Sequence, residues 1–167
     1  AAYECIGEPF WSQLFKFTFV RNPWDLQVSS WHHLKRVPTA PTDQFRTFEH
    51  FLRHKFDDSH PFQYYFEISA QLQSHYIMDH VGRILVDFVG RYERLPTDFQ
   101  EACRLGGIPQ IRLPHKRHST ERKKDYRTYY DDVTAELVAR HYAQDIDLFG
   151  YSFDDFDREM EAWRRPG

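Results

Sequence analysis

The sequence predicts an α/β fold in which helices flank a parallel sheet, and three observations predict it. Two runs rich in aromatic and β-branched residues, Phe15–Val20 and Ile84–Val89, read as strands. Segments with helical spacing separate and follow them, and strands alternating with helices are the pattern of a parallel sheet. The second run, Ile84-Leu85-Val86-Asp87-Phe88-Val89, is almost continuously apolar, which predicts burial on both faces.

Each element has a local reason. Residues 2–13 suit a short helix. In Phe15-Lys16-Phe17-Thr18-Phe19-Val20 apolar and polar positions alternate, as on a strand. Asn22-Pro23-Trp24-Asp25 then starts a helix: Asn22 is a good N-cap, Pro23 suits the first turn, and Asp25 completes an arrangement like a capping box. That helix runs to about Leu34, and the prolines between Val37 and Thr42 mark a loop. Phe45, Phe48, Phe51, Leu52 and Phe56 fall at helical spacing. Gln71–His80 reads as a helix stopped near Gly82, and Pro96–Leu105 as one stopped by Gly106-Gly107. Asp131 or Asp132 caps a helix carrying Val133, Leu137, Val138, His141 and Tyr142 on one stripe, Leu148–Phe153 closes the fold, and Asp154–Arg165 reads as a polar terminal helix.

The 167 residues are the length of one domain, with 41% hydrophobic and 28% charged residues, enough to bury a core. That composition excludes a disordered or collagen-like chain, and no apolar run reaches the 18 residues of a membrane span. Two cysteines, Cys5 and Cys103, are too few for a disulfide framework. The formal net charge of −3 counts against a general nucleic-acid binder. Charge is unevenly placed, however. Between Arg112 and Arg127 stand seven basic residues (Arg112, Lys116, Arg117, Arg122, Lys123, Lys124 and Arg127) against Glu121 and Asp125. A basic segment on an acidic body suits a compact polyanionic ligand, although a charge run of this kind is also found as a solvated face.

The sharpest feature is the junction Phe17-Thr18-Phe19-Val20-Arg21-Asn22-Pro23-Trp24-Asp25-Leu26-Gln27-Val28-Ser29. Arg21 stands at the carboxyl edge of a strand, where open α/β sheets bind ligands. The helix that follows turns its positive end into the same crevice, and a guanidinium there makes an anion site. Ser29, two turns in, adds a hydroxyl. The same residue types also serve as a strand-end ion pair and an ordinary helix-face serine.

Phe-x-Phe-Val-Arg-Asn-Pro-Trp-Asp-x-x-Val-Ser resembles the 3′-phosphate-binding motif of sulfotransferases that use 3′-phosphoadenosine 5′-phosphosulfate (PAPS). The likeness is to the carbohydrate-type, family 2-like group shared by bacterial enzymes and Golgi glycan sulfotransferases. Two further stretches resemble that group in the same order. One is Val86-Asp87-Phe88-Val89-Gly90-Arg91-Tyr92-Glu93-Arg94-Leu95 with Asp98-Phe99. The other runs from Leu113-Pro114-His115 through Ser119 and Tyr126-Arg127-x-Tyr129-Tyr130 to Asp145-Ile146-x-Leu148-Phe149-Gly150-Tyr151-Ser152-Phe153.

The resemblance implies a P-loop-NTPase-like parallel sheet and a single sulfotransferase domain over 1–167. It implies PAPS as donor, 3′-phosphoadenosine 5′-phosphate as product, no metal, and a small-molecule or glycan acceptor sulfated on a hydroxyl or amine. Arg21 and Ser29 fall on the family's 3′-phosphate ligands. Tyr92 falls where related enzymes contact adenine, and Ser119, Arg122 and Lys123 lie where a loop covers the nucleotide. Departures are Leu26 and Arg117, where many members carry Arg and Asn. The family's 5′-phosphosulfate loop, of the Pro-Lys-x-Gly-x-Thr-Thr type, has no counterpart between Ala1 and Phe15. The domain is therefore expected to be incomplete at its N-terminus, lacking the first strand, that loop and the catalytic base upstream of Ala1. His32 and His33 are the in-chain alternatives for a base, and the aromatic stretch from His50 to Tyr76 for an acceptor cleft. Location is expected to be bacterial-type cytoplasm, or the Golgi lumen if an anchor precedes Ala1.

Three other readings compete. His50 and His54 have the i, i+4 spacing of a zinc motif, but Phe51 stands where its glutamate belongs. A P-loop kinase would need Gly-x-x-x-x-Gly-Lys-Ser/Thr, which is not in the sequence. A non-catalytic nucleotide-binding domain that kept the same fold and lost the transfer loop is the alternative to the enzyme.

Overall fold

The computed structural model describes residues 7–37, 46–57, 59, 69–111, 113 and 125–155. Its helices are α1 (Glu8–Trp11), α2 (Pro23–Leu34), α3 (Phe48–Lys55), α4 (Leu95–Leu105), α5 (Asp132–His141) and α6 (Ala143–Phe149). Its strands are β1 (Phe17–Val20) and β2 (Phe88–Arg91), and short 3-10 turns lie at Gln73–Tyr76, Tyr92–Arg94 and Tyr126–Tyr129.

The two strands pair in parallel, Phe17 beside Phe88 and Val20 beside Arg91, so both carboxyl ends emerge on one edge. One face of the ladder carries a ring cluster: Phe17 and Phe19 pack on each other and on Phe99 of α4. Gly90 sits opposite Phe19, where any Cβ would come within 2.5 Å of the Phe19 ring.

The main core lies on the helical side. Trp24, Val28, Trp31 and Leu34 form the stripe of α2, and they pack with Phe48, Phe51 and Leu52 of α3, with Val138 and Tyr142, and with Tyr126. Side chains of this size contribute roughly 1.5–3 kcal/mol each when fully buried. Polar bonds fix the register of the helices. Trp24 Nε1 donates to the Ala135 carbonyl at 2.9 Å, and Tyr130 Oη donates to the Trp24 carbonyl at 2.8 Å.

α2 spans the expected residues, and α4 ends at Leu105, with Gly106 capping it and Gly107 at φ +64°. Asp131 caps α5 in a reciprocal pair with Thr134. Other expectations are corrected. The second strand starts at Phe88 rather than Ile84. Ile84 instead forms a lone antiparallel bridge with Met78, and Ile84 and Leu85 are 45% and 40% exposed, not buried on both faces. The segment expected as a helix over 71–80 is a single 3-10 turn followed by a tight bend at Asp79–Gly82. There the Asp79 carboxylate accepts the N–H groups of Val81 and Arg83, which ends helical bonding early. Of the first expected helix, residues 2–6 lie outside the described residues, and the described part is helical over Glu8–Trp11; Val133 is exposed rather than on the buried stripe. Leu148 and Phe149 end α6, and Gly150 closes it in the left-handed conformation. Phe45 and the terminal helix beyond residue 155 lie outside the described residues.

Candidate functional site

The junction between β1 and α2 is built around Asn22, which is fully buried. Its Oδ1 accepts the N–H groups of Trp24 and Asp25 at 3.0 and 3.3 Å. Its Nδ2 donates to Tyr126 Oη and to the Ser152 carbonyl at 3.2 and 3.0 Å. Its own N–H donates to Glu93 Oε1 at 2.7 Å. The expected capping box is therefore not formed by Asp25, because Glu93 takes the N–H that Asp25 would have accepted. Asp25 is turned instead toward Arg21.

This accounting corrects the expected anion site. Pro23 has no N–H, those of Trp24 and Asp25 go to Asn22 Oδ1, and that of Leu26 goes to the Asn22 carbonyl. The first turn of α2 has no donor left for a ligand, so any anion held here depends on side chains.

Arg21 supplies the charge. Its Nε and Nη2 both lie 2.5 Å from Asp25 Oδ2, and its guanidinium carbon sits 4.2 Å from the centroid of the Tyr92 ring. The Arg21 side chain is 12% exposed and Asp25 is 0%. Burial works against the cation, but the charges of Asp25 and Tyr92 and the bond to Asp25 outweigh it, so Arg21 is held above its ordinary pKa. One edge of the guanidinium is spent on Asp25 and one face on Tyr92. Nη1, on the remaining edge, makes no hydrogen bond among the described residues.

Ser29 lies one turn beyond Asp25 on the same flank of α2, half-buried, and its hydroxyl makes no hydrogen bond among the described residues. Tyr92 opens the 3-10 turn directly after β2, which brings it under Arg21. Arg21, Asp25 and Tyr92 thus meet at one edge of the ladder. His32 and His33 sit at the far end of α2, about 15 Å along its axis at 1.5 Å per residue. His32 is packed edge-on against Tyr129, with Nε2 2.9 Å from Tyr129 Oη, and His33 is exposed. Neither shares the Arg21 edge.

Ser119, Arg122 and Lys123 lie outside the described residues. Of the seven basic residues between 112 and 127 only Arg127 is described, and it pairs with Asp125 at 2.8 Å. In the stretch from His50 to Tyr76, Phe51 and Leu52 belong to the core and Tyr76 is exposed. Phe51, which disqualifies the zinc motif by type, is fully buried, and no metal-binding group of three or more His, Cys, Asp or Glu occurs among the described residues.

Sequence reasoning missed four contributors: Asp25 as the partner of Arg21, Glu93 as the partner of Asn22, and Gln73 with Asp145. Glu93 lies 71 residues from Asn22, and Gln73 lies 52 from Arg21. Local spacing carries no sign of such pairs.

The model of the sulfotransferase family matches residues 7–152. The chain belongs to the sulfotransferase family. No curated protein and no solved structure gives a significant match. The matched stretch of this sulfotransferase-family chain takes in both strands, the Arg21 junction, Tyr92 and the basic segment, and ends at Ser152, whose carbonyl accepts from Asn22. No helix among the described residues is long and apolar enough to cross a membrane.

Proposed function

We propose that this chain is a PAPS-dependent sulfotransferase domain that transfers the sulfuryl group to a hydroxyl or amine of a carbohydrate acceptor. The observation that carries the reading is the state of Arg21. It is a permanently charged guanidinium, fixed by Asp25 and Tyr92 at the carboxyl edge of the sheet, with Nη1 making no hydrogen bond among the described residues. That edge fits the 3′-phosphate of the donor, with Ser29 adding a hydroxyl donor.

Transfer breaks the bond between sulfur and the 5′-phosphate oxygen and forms one between sulfur and the acceptor oxygen or nitrogen, while the acceptor proton passes to a base. Such chemistry depends on positioning and on charge set where the leaving group develops. The part of it assigned to this chain is the grip on the 3′ end of the nucleotide. A buried ion pair gives that grip a fixed aim without ligand-induced ordering.

The test is calorimetric binding of 3′-phosphoadenosine 5′-phosphate against 5′-AMP, followed by a transfer assay with PAPS and an oligosaccharide acceptor. Preference for the 3′-phosphorylated nucleotide supports the donor reading. Preference without transfer points to a binding domain, and the absence of preference overturns the reading.

A further inference from the structure

The side chain of Gln73 grips the main chain of Arg21. Oε1 accepts the Arg21 N–H at 2.8 Å, and Nε2 donates to the Arg21 carbonyl at 2.8 Å. This is the two-bond pattern by which a neighbouring strand holds a residue. A single side chain supplies it one residue past the point where the β1–β2 ladder stops, at Val20 beside Arg91. Both bonds run between a donor and an acceptor in only one orientation of the amide, so the orientation follows from the partners.

Gln73 is held in turn from behind. The Asp145 carboxylate, fully buried in the first turn of α6, accepts the N–H of Gln73 at 2.6 Å and that of Ser74 at 3.0 Å. Ser74 is itself fully buried. The strap from α6 through the 3-10 turn to Arg21 is therefore built from short bonds between residues far apart in sequence. It acts on the peptide units either side of the Arg21 Cα and so fixes where the Cα–Cβ bond points. Asp25 and Tyr92 then fix the far end of the same side chain.

We propose that Gln73 is a positioning residue for Arg21, setting the aim of its guanidinium at the 3′-phosphate of the nucleotide. The inference rests on the donor reading above. It makes Gln73 necessary for discrimination between 3′-phosphorylated and unphosphorylated nucleotides, although Gln73 touches neither. The two hydrogen bonds together correspond to about a tenfold effect on affinity when lost.

The experiment is a double-mutant cycle on the full chain, read by calorimetric binding of 3′-phosphoadenosine 5′-phosphate and of 5′-AMP, with thermal unfolding as the control for fold. Gln73→Leu should weaken the 3′-phosphorylated nucleotide about tenfold and 5′-AMP less than about twofold. In an Arg21→Ala background the same substitution should add nothing, since the residue it positions is gone. Gln73→Glu keeps the shape and the acceptor but cannot, as a carboxylate, donate to the Arg21 carbonyl. It should give the same selective loss, and it serves if the leucine variant does not fold. Equal losses for both nucleotides, or full additivity with Arg21→Ala, overturn the role of Gln73. A wild-type preference left unchanged in both Gln73 variants also overturns that role while the donor reading stands. A wild-type chain with no preference overturns the donor reading itself.

Discussion

Glu93 accepts the backbone N–H of Asn22 at 2.7 Å, while its other oxygen accepts the Tyr151 hydroxyl at 3.1 Å. This carboxylate is 5% exposed, and burial holds it above the ordinary glutamate pKa despite the bonds it accepts. A group raised in the folded state binds more protons folded than unfolded. The stability this confers is complete below the unfolded value, about 4.3, and is lost as pH rises through the folded value. Glu93→Gln keeps the acceptor for Asn22 and removes the titration. The melting temperature of the wild type should therefore fall relative to the variant as pH rises from about 4.3, and the difference should then level off. Thermal unfolding of both proteins across pH 4–8 tests this, and parallel curves would refute it.

Arg21 carries two loads, and they can be separated. Arg21→Ala should weaken 3′-phosphoadenosine 5′-phosphate by roughly 1.5–3 kcal/mol, the scale of a charge-assisted bond, and leave 5′-AMP nearly unchanged. It also removes the cation paired with the buried Asp25 carboxylate, at a cost of about 3–5 kcal/mol in stability. Arg21→Met combined with Asp25→Asn should recover most of the melting temperature and none of the nucleotide binding. Recovery of both would place the anion site elsewhere.

Tyr92 is expected to act through its ring. Tyr92→Phe preserves the face on which Arg21 rests, 4.2 Å away, and should bind the 3′-phosphorylated nucleotide within about twofold of wild type. Tyr92→Ala removes that face and should lose about 0.5–2 kcal/mol. Titration calorimetry decides, and an equal loss in both variants would shift the contribution to the hydroxyl.

Lys55 is buried with neutral partners: Nζ lies 2.5 Å from Gln27 Oε1 and 2.9 Å from Ser69 Oγ. Desolvation pushes its pKa well below the ordinary lysine value. For a base depressed in this way the unfolded chain binds the extra proton, so stability rises with pH between the folded value and about 10.4. Lys55→Met should raise the melting temperature at pH 7 by about 2–4 °C, equivalent to roughly 1 kcal/mol in a chain of this size. The gain should shrink toward pH 10.4. A destabilised variant at pH 7 would mean that the bonds to Gln27 and Ser69 outweigh the desolvation of the amine.

Gly90 tests the sheet itself. A methyl group there meets the Phe19 ring at 2.5 and 2.7 Å and Asp98 Cβ at 3.1 Å. Gly90→Ala should cost about 1–3 kcal/mol by overpacking, measured by urea unfolding. An unchanged midpoint would show that the Phe19 ring can swing aside.

What could be read in the sequence was what is local. Asn22-Pro23 announced α2, Asp131 announced α5, and Arg21 stood out because strand and helix signals meet on it. The apolar run at 84–89 misled because its composition could not reveal that Asp79 would cap a bend and leave Ile84 in solvent. The inner workings of the site were hidden for the same reason. Whether Asp25 turns back to Asn22 or sideways to Arg21 is decided by Glu93, and Glu93 arrives beside Asn22 only once β1 and β2 have paired.

The partners of Asn22 come from 71, 104 and 130 residues further along the chain. Contacts so distant close late, after the loops between them have been ordered. During synthesis, which proceeds from the N-terminus, Arg21 leaves the ribosome well before the residues that frame it. On the proposed donor reading, nucleotide affinity is therefore acquired near the end of folding, and a nascent or clipped chain ending before Ser152 should not yet compete for the donor.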